Sequence, residues 1–286
     1  MVSSHGRFLW YELATTDTEA AKGFYTEVVG WGTQDASMPG AAYTLFTAGE
    51  TAVAGLTGLP VEARTMGAQP RWMGYVGVDD VDAATGKYKQ LGGTVYVPPT
   101  DVPGISRFAI VADPQMATLA LVKWRDGGER QPAAPDVPGH VSWHELFAAS
   151  WEKAFVFYSE LFGWQKVDAD VGGMGKYQLF AAAGQPIGSM STRPATVPAP
   201  FWLYYFNVGD IDATAARVKA GGGQILEGPV EAQGGNRIAR CVDPQGAMFA
   251  LAGPGRANVP GYFEPAGARD AAAMRLFVPK RPGPNA

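Results

Sequence analysis

The chain has 286 residues, 47% of them hydrophobic and 17% charged, enough for one large domain or two of ordinary size. Its formal net charge of −4 arises from 23 basic and 27 acidic residues spread along the chain; no basic run offers a track for phosphates, so no nucleic-acid partner is expected. A single cysteine, Cys241, excludes an internal disulfide and a cysteine zinc cluster, and three histidines (His5, His140 and His144) are too few for a histidine-rich metal site.

The first residues show no basic segment leading into an apolar core, and no later run approaches the roughly eighteen apolar residues of a membrane span. A cytoplasmic protein without a membrane partner is expected. Phe8–Ala14 reads as a strand, and Asp17 as the N-cap of a helix whose Ala20, Phe24, Val28 and Val29 share a face and which stops at Gly30. Tyr43–Thr47 and Thr51–Leu56 read as strands around an Ala-Gly-Glu turn. A second half restarts with a strand at Trp72–Val78 and a helix at Val81–Leu91 stopped by Gly92-Gly93. Strands at Thr94–Val97, Arg107–Val111 and Thr118–Val122 complete it.

The whole pattern then returns. Trp10-Tyr11-Glu12-Leu13 reappears as Trp143-His144-Glu145-Leu146, and Phe24-Tyr25 with Gly30-Trp31 as Phe157-Tyr158 with Gly163-Trp164, at a constant offset of 133. Tyr43 finds Tyr177 at 134; Trp72, Tyr75, Asp80, Arg107 and Asp113-Pro114-Gln115 find Trp202, Tyr205, Asp210, Arg237 and Asp243-Pro244-Gln245 at 130. A fixed offset over so many aromatic, glycine and arginine positions is an internal duplication. The expected division is a domain over 1–124, a linker rich in Pro, Gly and charge over 125–139, a second domain over 140–252, and a tail over 253–286 in which Arg269–Phe277 could form a short helix. The order βαβββ, written four times, predicts an α+β fold of curved mixed sheets with helices outside and a concave side suited to a pocket.

A strand, then Asp-x-x-x-Ala-x-x-Phe-Tyr, then Gly-Trp, with Asp-Pro-Gln before the last strand, resembles the vicinal-oxygen-chelate superfamily of glyoxalases, bleomycin-resistance proteins and extradiol dioxygenases. The resemblance spans about 8–124 and 140–252, and the tandem Trp-x-Glu-Leu form is similar to bacterial two-domain glyoxalase-like proteins labelled "hydroxylase". It implies a divalent-metal site with ligands from the first, fourth, fifth and eighth strands of each domain. Counting from the shared motifs places those positions at Trp10 and Trp143, within 53–57 and 187–191, near Met73 and Leu203, and at Ala120 and Ala250. None of these is a ligand, so no metal is expected, and the replacements predict an apolar, aromatic-walled pocket or a filled core. No Gly-x-Gly-x-x-Gly follows a strand and no Gly-x-Ser-x-Gly elbow occurs, so no nucleotide cofactor and no serine hydrolase chemistry are expected either.

Alternation along a strand puts Glu12 on the face of Trp10, and Glu145 on the face of Trp143. A carboxylate among aromatics has its pKa raised, so Glu12 and Glu145 are candidates for acid–base work or for pairing with Arg107 or Arg237. Tyr75 and Tyr205, on the face of Met73 and Leu203, offer hydroxyls to a carbonyl or phenol. Arg107 and Arg237, repeated at the start of the seventh strands, are expected in a salt bridge or as an anchor for a ligand carboxylate or carbonyl. His144 falls on the opposite face and is read as structural; His5 and His140 show no partner.

Two functions fit these residues. One is a binding protein that holds a small aromatic or polyketide-like molecule. The other is a metal-independent lyase, isomerase or cyclase acting on a carbonyl-rich molecule, with Glu12 or Glu145 as acid or base and a tyrosine hydroxyl on the developing oxyanion. A metal-dependent glyoxalase or dioxygenase would need ligands from outside the expected positions. The partner is a small molecule, and the chain is expected to be a monomer with an internal pseudo-dimer, or a homodimer.

Overall fold

The computed structural model describes residues 4–125, 137–168, 177–232 and 236–254. The first copy contains β1 (Phe8–Thr15), α1 (Thr18–Val29), β2 (Gly32–Asp35), β3 (Thr44–Ala48), β4 (Thr51–Gly58), α2 (Val61–Thr65), β5 (Arg71–Gly77), α3 (Val81–Gln90), β6 (Thr94–Val102), β7 (Ser106–Ala112) and β8 (Thr118–Trp124). The second contains β9 (Val141–Ala148), α4 (Trp151–Phe162), β10 (Gln165–Val167), β11 (Tyr177–Ala182), β12 (Gln185–Thr192), β13 (Phe201–Asn207), α5 (Ile211–Ala220), β14 (Gln224–Glu231), β15 (Asn236–Val242) and β16 (Met248–Pro254).

The long helices start where a short polar side chain can accept an orphan N–H. Asp17 caps α1 through Ala20 N at 3.0 Å, Asp80 caps α3 through Ala83 N, Ser150 caps α4 through Lys153 N, and Asp210 caps α5 through Ala213 N. Gly30 ends α1 in the left-handed region, at φ 84°, as glycine does without cost.

Each copy forms one eight-stranded mixed sheet, ordered β2-β3-β4-β1-β5-β8-β7-β6 and β10-β11-β12-β9-β13-β16-β15-β14. Each sheet is two βαβββ modules joined through antiparallel first strands, β1 with β5 and β9 with β13; inside each module the first and last strands run parallel. Register shifts interrupt the β1–β5 and β6–β7 ladders, and irregularities of this kind bend a sheet.

The helix-bearing faces of both sheets share one continuous apolar core, in which Phe24 and Tyr25 of α1 pack against Phe249 of β16. Polar bonds cross between the copies in reciprocal pairs. Tyr25 Oη donates to Asp243 Oδ2 and Tyr158 Oη to Asp113 Oδ2, both at 3.0 Å; Trp31 Nε1 donates to the Gly139 carbonyl and Trp164 Nε1 to that of Gly6. The two copies therefore pack as a symmetric dimer would, within one chain.

Several expectations change. The four residues of β2 are all exposed and none is aliphatic, so no apolar period marked them as a strand. β6 runs on to Val102, past Pro98 and Pro99, because register shifts there relieve the ladder of donors that proline lacks. Gly139, at the end of the expected linker, is buried, since its carbonyl receives Trp31. His5 is not partnerless, lying 3.4 Å from Asp79, and His140 Nδ1 meets the Pro138 carbonyl. Residues 126–136 of the linker and the helix expected at Arg269–Phe277 lie outside the described residues. No helix among the described residues is long and apolar enough to cross a membrane.

Candidate functional site

Residues directly opposite one another in a ladder share a face, so register alone assembles the face of the first sheet turned away from the main core, the first cup. Glu12 stands between Gly55 of β4 and Met73 of β5. Two pairs further along, on the same face, Trp10 faces Tyr75, Tyr75 faces Ala120, Ala120 faces Ile110, and Ile110 faces Val97. These side chains form an apolar cluster separate from the main core. Its floor of Trp10, Met73, Tyr75 and Ala120 is buried, whereas Tyr43, Leu45, Phe108, Ile110 and Trp124 remain half-buried around it.

Glu12 is the acid of this cup. Tyr43 Oη donates to its Oε2 at 2.8 Å, Tyr75 Oη donates to its Oε1 at 3.0 Å, and Trp10 Nε1 donates to Tyr43 Oη at 3.1 Å. Desolvation raises the Glu12 pKa, and the two hydroxyl bonds oppose that rise without cancelling it. Burial, together with the neighbouring Glu12, holds the Tyr75 hydroxyl well above its ordinary range, so it remains a donor. No described cation lies within ion-pair distance of Glu12.

The second cup repeats the frame with different chemistry. Glu145 stands between Ser189 and Leu203; Trp143 faces Tyr205, Tyr205 faces Ala250, Ala250 faces Arg240, and Arg240 faces Glu227. Arg240 Nη2 lies 3.0 Å from Glu145 Oε2, and its Nη1 lies 2.5 Å from Glu227 Oε2. Its guanidinium also sits over the Phe147 ring at 5.1 Å, and Tyr205 Oη donates to Glu145. Burial pulls the Arg240 pKa down, but Glu145, Tyr205 and Glu227 outweigh it and hold the guanidinium charged.

The sequence-derived candidates thus fall into two groups. Glu12, Tyr75, Trp10, Met73 and Ala120 meet in the first cup, and Glu145, Tyr205, Trp143, Leu203 and Ala250 in the second. Arg107 and Arg237 lie elsewhere, in the salt bridges expected of them, which corrects the alternatives of a ligand anchor and of pairing with the glutamates. They share the face of Ala109 and Ala239, toward the helices, and bind Asp82 and Asp212, residues of the first turns of α3 and α5. His144 is buried away from the cup, with Nε2 at 2.6 Å from Tyr11 Oη.

Sequence reasoning missed Tyr43, Gly55, Arg240 and Glu227. Tyr43 was visible as a repeated position but was read as the first residue of a strand; β3 starts at Thr44, and Tyr43 lies in the loop before it. Arg240 and Glu227 were visible only as breaks in the repeat, at Ile110 and Val97.

The donors do not suit a divalent ion of the kind the fold accommodates elsewhere. Each cup offers one central carboxylate, that of the second is tied to Arg240, and no group of three or more His, Cys, Asp or Glu gathers among the described residues.

Two copies of a paired βαβββ module, each forming one eight-stranded mixed sheet, define a tandem glyoxalase-fold protein. The chain belongs to the Glyoxalase/Bleomycin resistance protein/Dioxygenase superfamily, whose sequence profile matches residues 7–121 and again 138–251. It is 33% identical over 247 residues to the protein named "Putative glyoxylase CFP32" of Mycobacterium tuberculosis, spanning 86% of this chain and 94% of that one. It is 30% identical over 253 residues to the anthracycline biosynthesis protein DnrV of Streptomyces peucetius, spanning 85% and 91%.

Among solved structures, the Mn(II)-bound glyoxalase from Novosphingobium aromaticivorans superposes with a TM-score of 0.60 at 19% identity, covering 88% of this chain and 83% of the other. A variant of homoprotocatechuate 2,3-dioxygenase from Brevibacterium fuscum gives 0.59 at 15%, covering 90% and 72%. At these identities the likeness is one of fold.

Proposed function

We propose that the protein binds a small, flat, aromatic or polyketide-like molecule on the concave side of its sheets. The observation that carries this reading is the lining of the first cup. An indole, a thioether and a phenol ring form a floor around one carboxyl group, with half-buried apolar side chains at the rim. Apolar walls with a few convergent polar groups are the usual make-up of small-molecule sites. Glu12 and the two tyrosines would fix the orientation of a carbonyl or phenol. A relative named for anthracycline biosynthesis, a route to polycyclic aromatic ketones, supports the same ligand class.

The test is titration of the purified protein with alizarin, a hydroxylated anthraquinone, followed by calorimetry. Saturable binding that is lost in Met73→Arg is expected; no binding, or binding indifferent to that substitution, refutes the reading.

A second reading has its own observation, the raised pKa of a Glu12 carboxyl held at both oxygens. A carboxyl poised in this way can give a proton to a carbonyl oxygen or take one from an adjacent acidic carbon, so a metal-independent isomerase, lyase or cyclase is the alternative. Deuterium uptake from deuterium oxide into a bound β-diketone, abolished in Glu12→Gln while binding persists, would favour it over binding alone.

A further inference from the structure

The duplication has not kept two equal sites. We infer that the first cup alone is the ligand-binding and proton-handling site, that Gly55 is the residue that makes it so, and that Arg240 has closed the second; this rests on the binding function proposed above.

The two cups part at one backbone position. Gly55 and Ser189 occupy the same place, each opposite the central glutamate of its cup. A Cβ on Gly55 would stand 1.8 Å from Tyr43 Oη and 2.4 Å from its Cζ, so the end of the Tyr43 ring occupies the space that any other residue would fill. Only with glycine there can the phenol lie across the strand, accept from Trp10 and donate to Glu12. In the second cup Ser189 fills that space, and its Oγ, 3.2 Å from Trp143 Nε1, takes the bond that the tyrosine hydroxyl takes in the first. Tyr177, the counterpart of Tyr43, makes no hydrogen bond to Glu145 among the described residues.

The place left open beside Glu145 is taken by Arg240, where the first cup has Ile110, and Arg240 is balanced on its far side by Glu227, where the first cup has Val97. Three substitutions between the copies therefore act together. Glycine, isoleucine and valine leave a carboxyl held by neutral donors above an apolar floor. Serine, arginine and glutamate give a charge network, stacked on Phe147, that spans the floor of the second cup. A neutral aromatic ligand entering the second cup would have to displace a half-buried, doubly paired guanidinium, whereas in the first it meets apolar surface, two tyrosine hydroxyls and a carboxyl with no cation paired to it.

The test has a ligand arm and a ligand-independent arm. Alizarin is titrated into the full chain, and the stoichiometry is read by calorimetry and native mass spectrometry. One molecule per chain is expected, with affinity falling at least about tenfold (roughly 1.4 kcal/mol) in Ile110→Arg. Ile110→Arg recreates Arg240 beside Glu12 and, being at the half-buried rim, tests the idea without the backbone risk of Gly55→Ser. The triple change Ser189→Gly, Arg240→Ile and Glu227→Val is expected to raise the stoichiometry to two.

Independently, the infrared carboxylic acid signal of Glu12, identified as the part missing in Glu12→Gln, should appear at a higher pH in the natural chain than in Ile110→Arg as the pH is lowered, and should not move in Glu145→Gln. Two molecules bound by the natural chain, or one whose binding survives Ile110→Arg, overturns the division of the cups. If alizarin does not bind at all, the proposed ligand class falls and the infrared arm decides alone: a Glu12 signal that moves to lower pH in Ile110→Arg sustains the division, and one that does not move overturns it.

Discussion

Tyr11 Oη and His144 Nε2 lie 2.6 Å apart, and these two residues are each other's counterparts in the duplication. Equivalent residues touch only where the relating axis passes between them, so this pair marks the centre of the contact between the copies. His144 Nδ1 lies 2.6 Å from the Ile187 carbonyl, which can only accept. Nδ1 therefore carries the proton, and Nε2 accepts from Tyr11. Phe8 stacks on the imidazole at 3.9 Å, leaving no room for water or a counter-ion.

Burial depresses the His144 pKa to about 4. The unfolded chain takes up a proton near pH 6.5 and the folded one does not until near pH 4, so stability is full above 6.5 and drains as the pH falls through that window. The loss should approach about 3 kcal/mol by pH 4. Asp113 and Asp243, with carboxyls raised by burial, act in the opposite sense, and so does Glu12. The informative quantity is thus the difference between the natural chain and His144→Gln in urea unfolding at a series of pH values. That difference should narrow steadily below pH 6.5; a constant difference would mean that His144 is protonated in the folded state.

The reciprocal tyrosines give a second expectation. Tyr25 Oη donates to Asp243 and receives Trp72 Nε1 at 2.8 Å, so Tyr25→Phe strands two buried polar groups at once. A loss of about 1–3 kcal/mol is expected, and a similar one for Tyr158→Phe on the other side of the contact. Because the core runs through both copies, calorimetry should show a single unfolding transition in the natural chain and in both variants. Two separated transitions would show that the shared core does not couple the copies.

Much of the fold was legible because duplication, capping and alternation leave marks along a sequence. The constant offset gave the two domains, and Asp17 gave a helix start that its side-chain bond matches. Alternation put Glu12, Tyr75 and Met73 on one face. The rest was hidden for two reasons. Tyr43, expected to open a strand, reaches Glu12 from the loop before β3 and lies over Gly55, a path that no periodicity describes. Repetition was also a misleading guide to function: Arg107 and Arg237 repeat because both copies need the same tie to a helix, while Arg240 and Glu227, which set the chemistry of the second cup, stand where the copies differ.

Arg240 carries a third prediction. Its loss leaves the half-buried Glu145 and Glu227 without a cation, a change that costs about 1–3 kcal/mol for charged groups that solvent still partly screens. Arg240→Met should therefore be destabilising by chemical denaturation. Adding Glu145→Gln and Glu227→Gln removes both stranded charges and should restore most of the loss. If the triple variant is no more stable than the single one, the contribution of Arg240 lies in its packing on Phe147 and not in its charge.

The last prediction follows from a second unlike pair at the centre of the contact. Gly74 and Tyr204 are counterparts, and Tyr204 Oη receives the Gly74 N–H at 2.7 Å. A Cβ on Gly74 would stand 2.7 Å from the Phe8 ring and 2.8 Å from the Tyr204 ring, so the tyrosine of one copy fills the space the glycine of the other leaves. Pairing two first copies would set glycine against glycine over a void, and pairing two second copies would set tyrosine against tyrosine in the same space, both costly in a close-packed interior. Residues 4–125 and 137–254, co-expressed as separate chains, should therefore associate as a one-to-one heterodimer in preference to either homodimer, as read by native mass spectrometry. Tyr204→Gly should erode that preference. Statistical mixing of the natural halves would show that the unlike central residues do not direct the pairing.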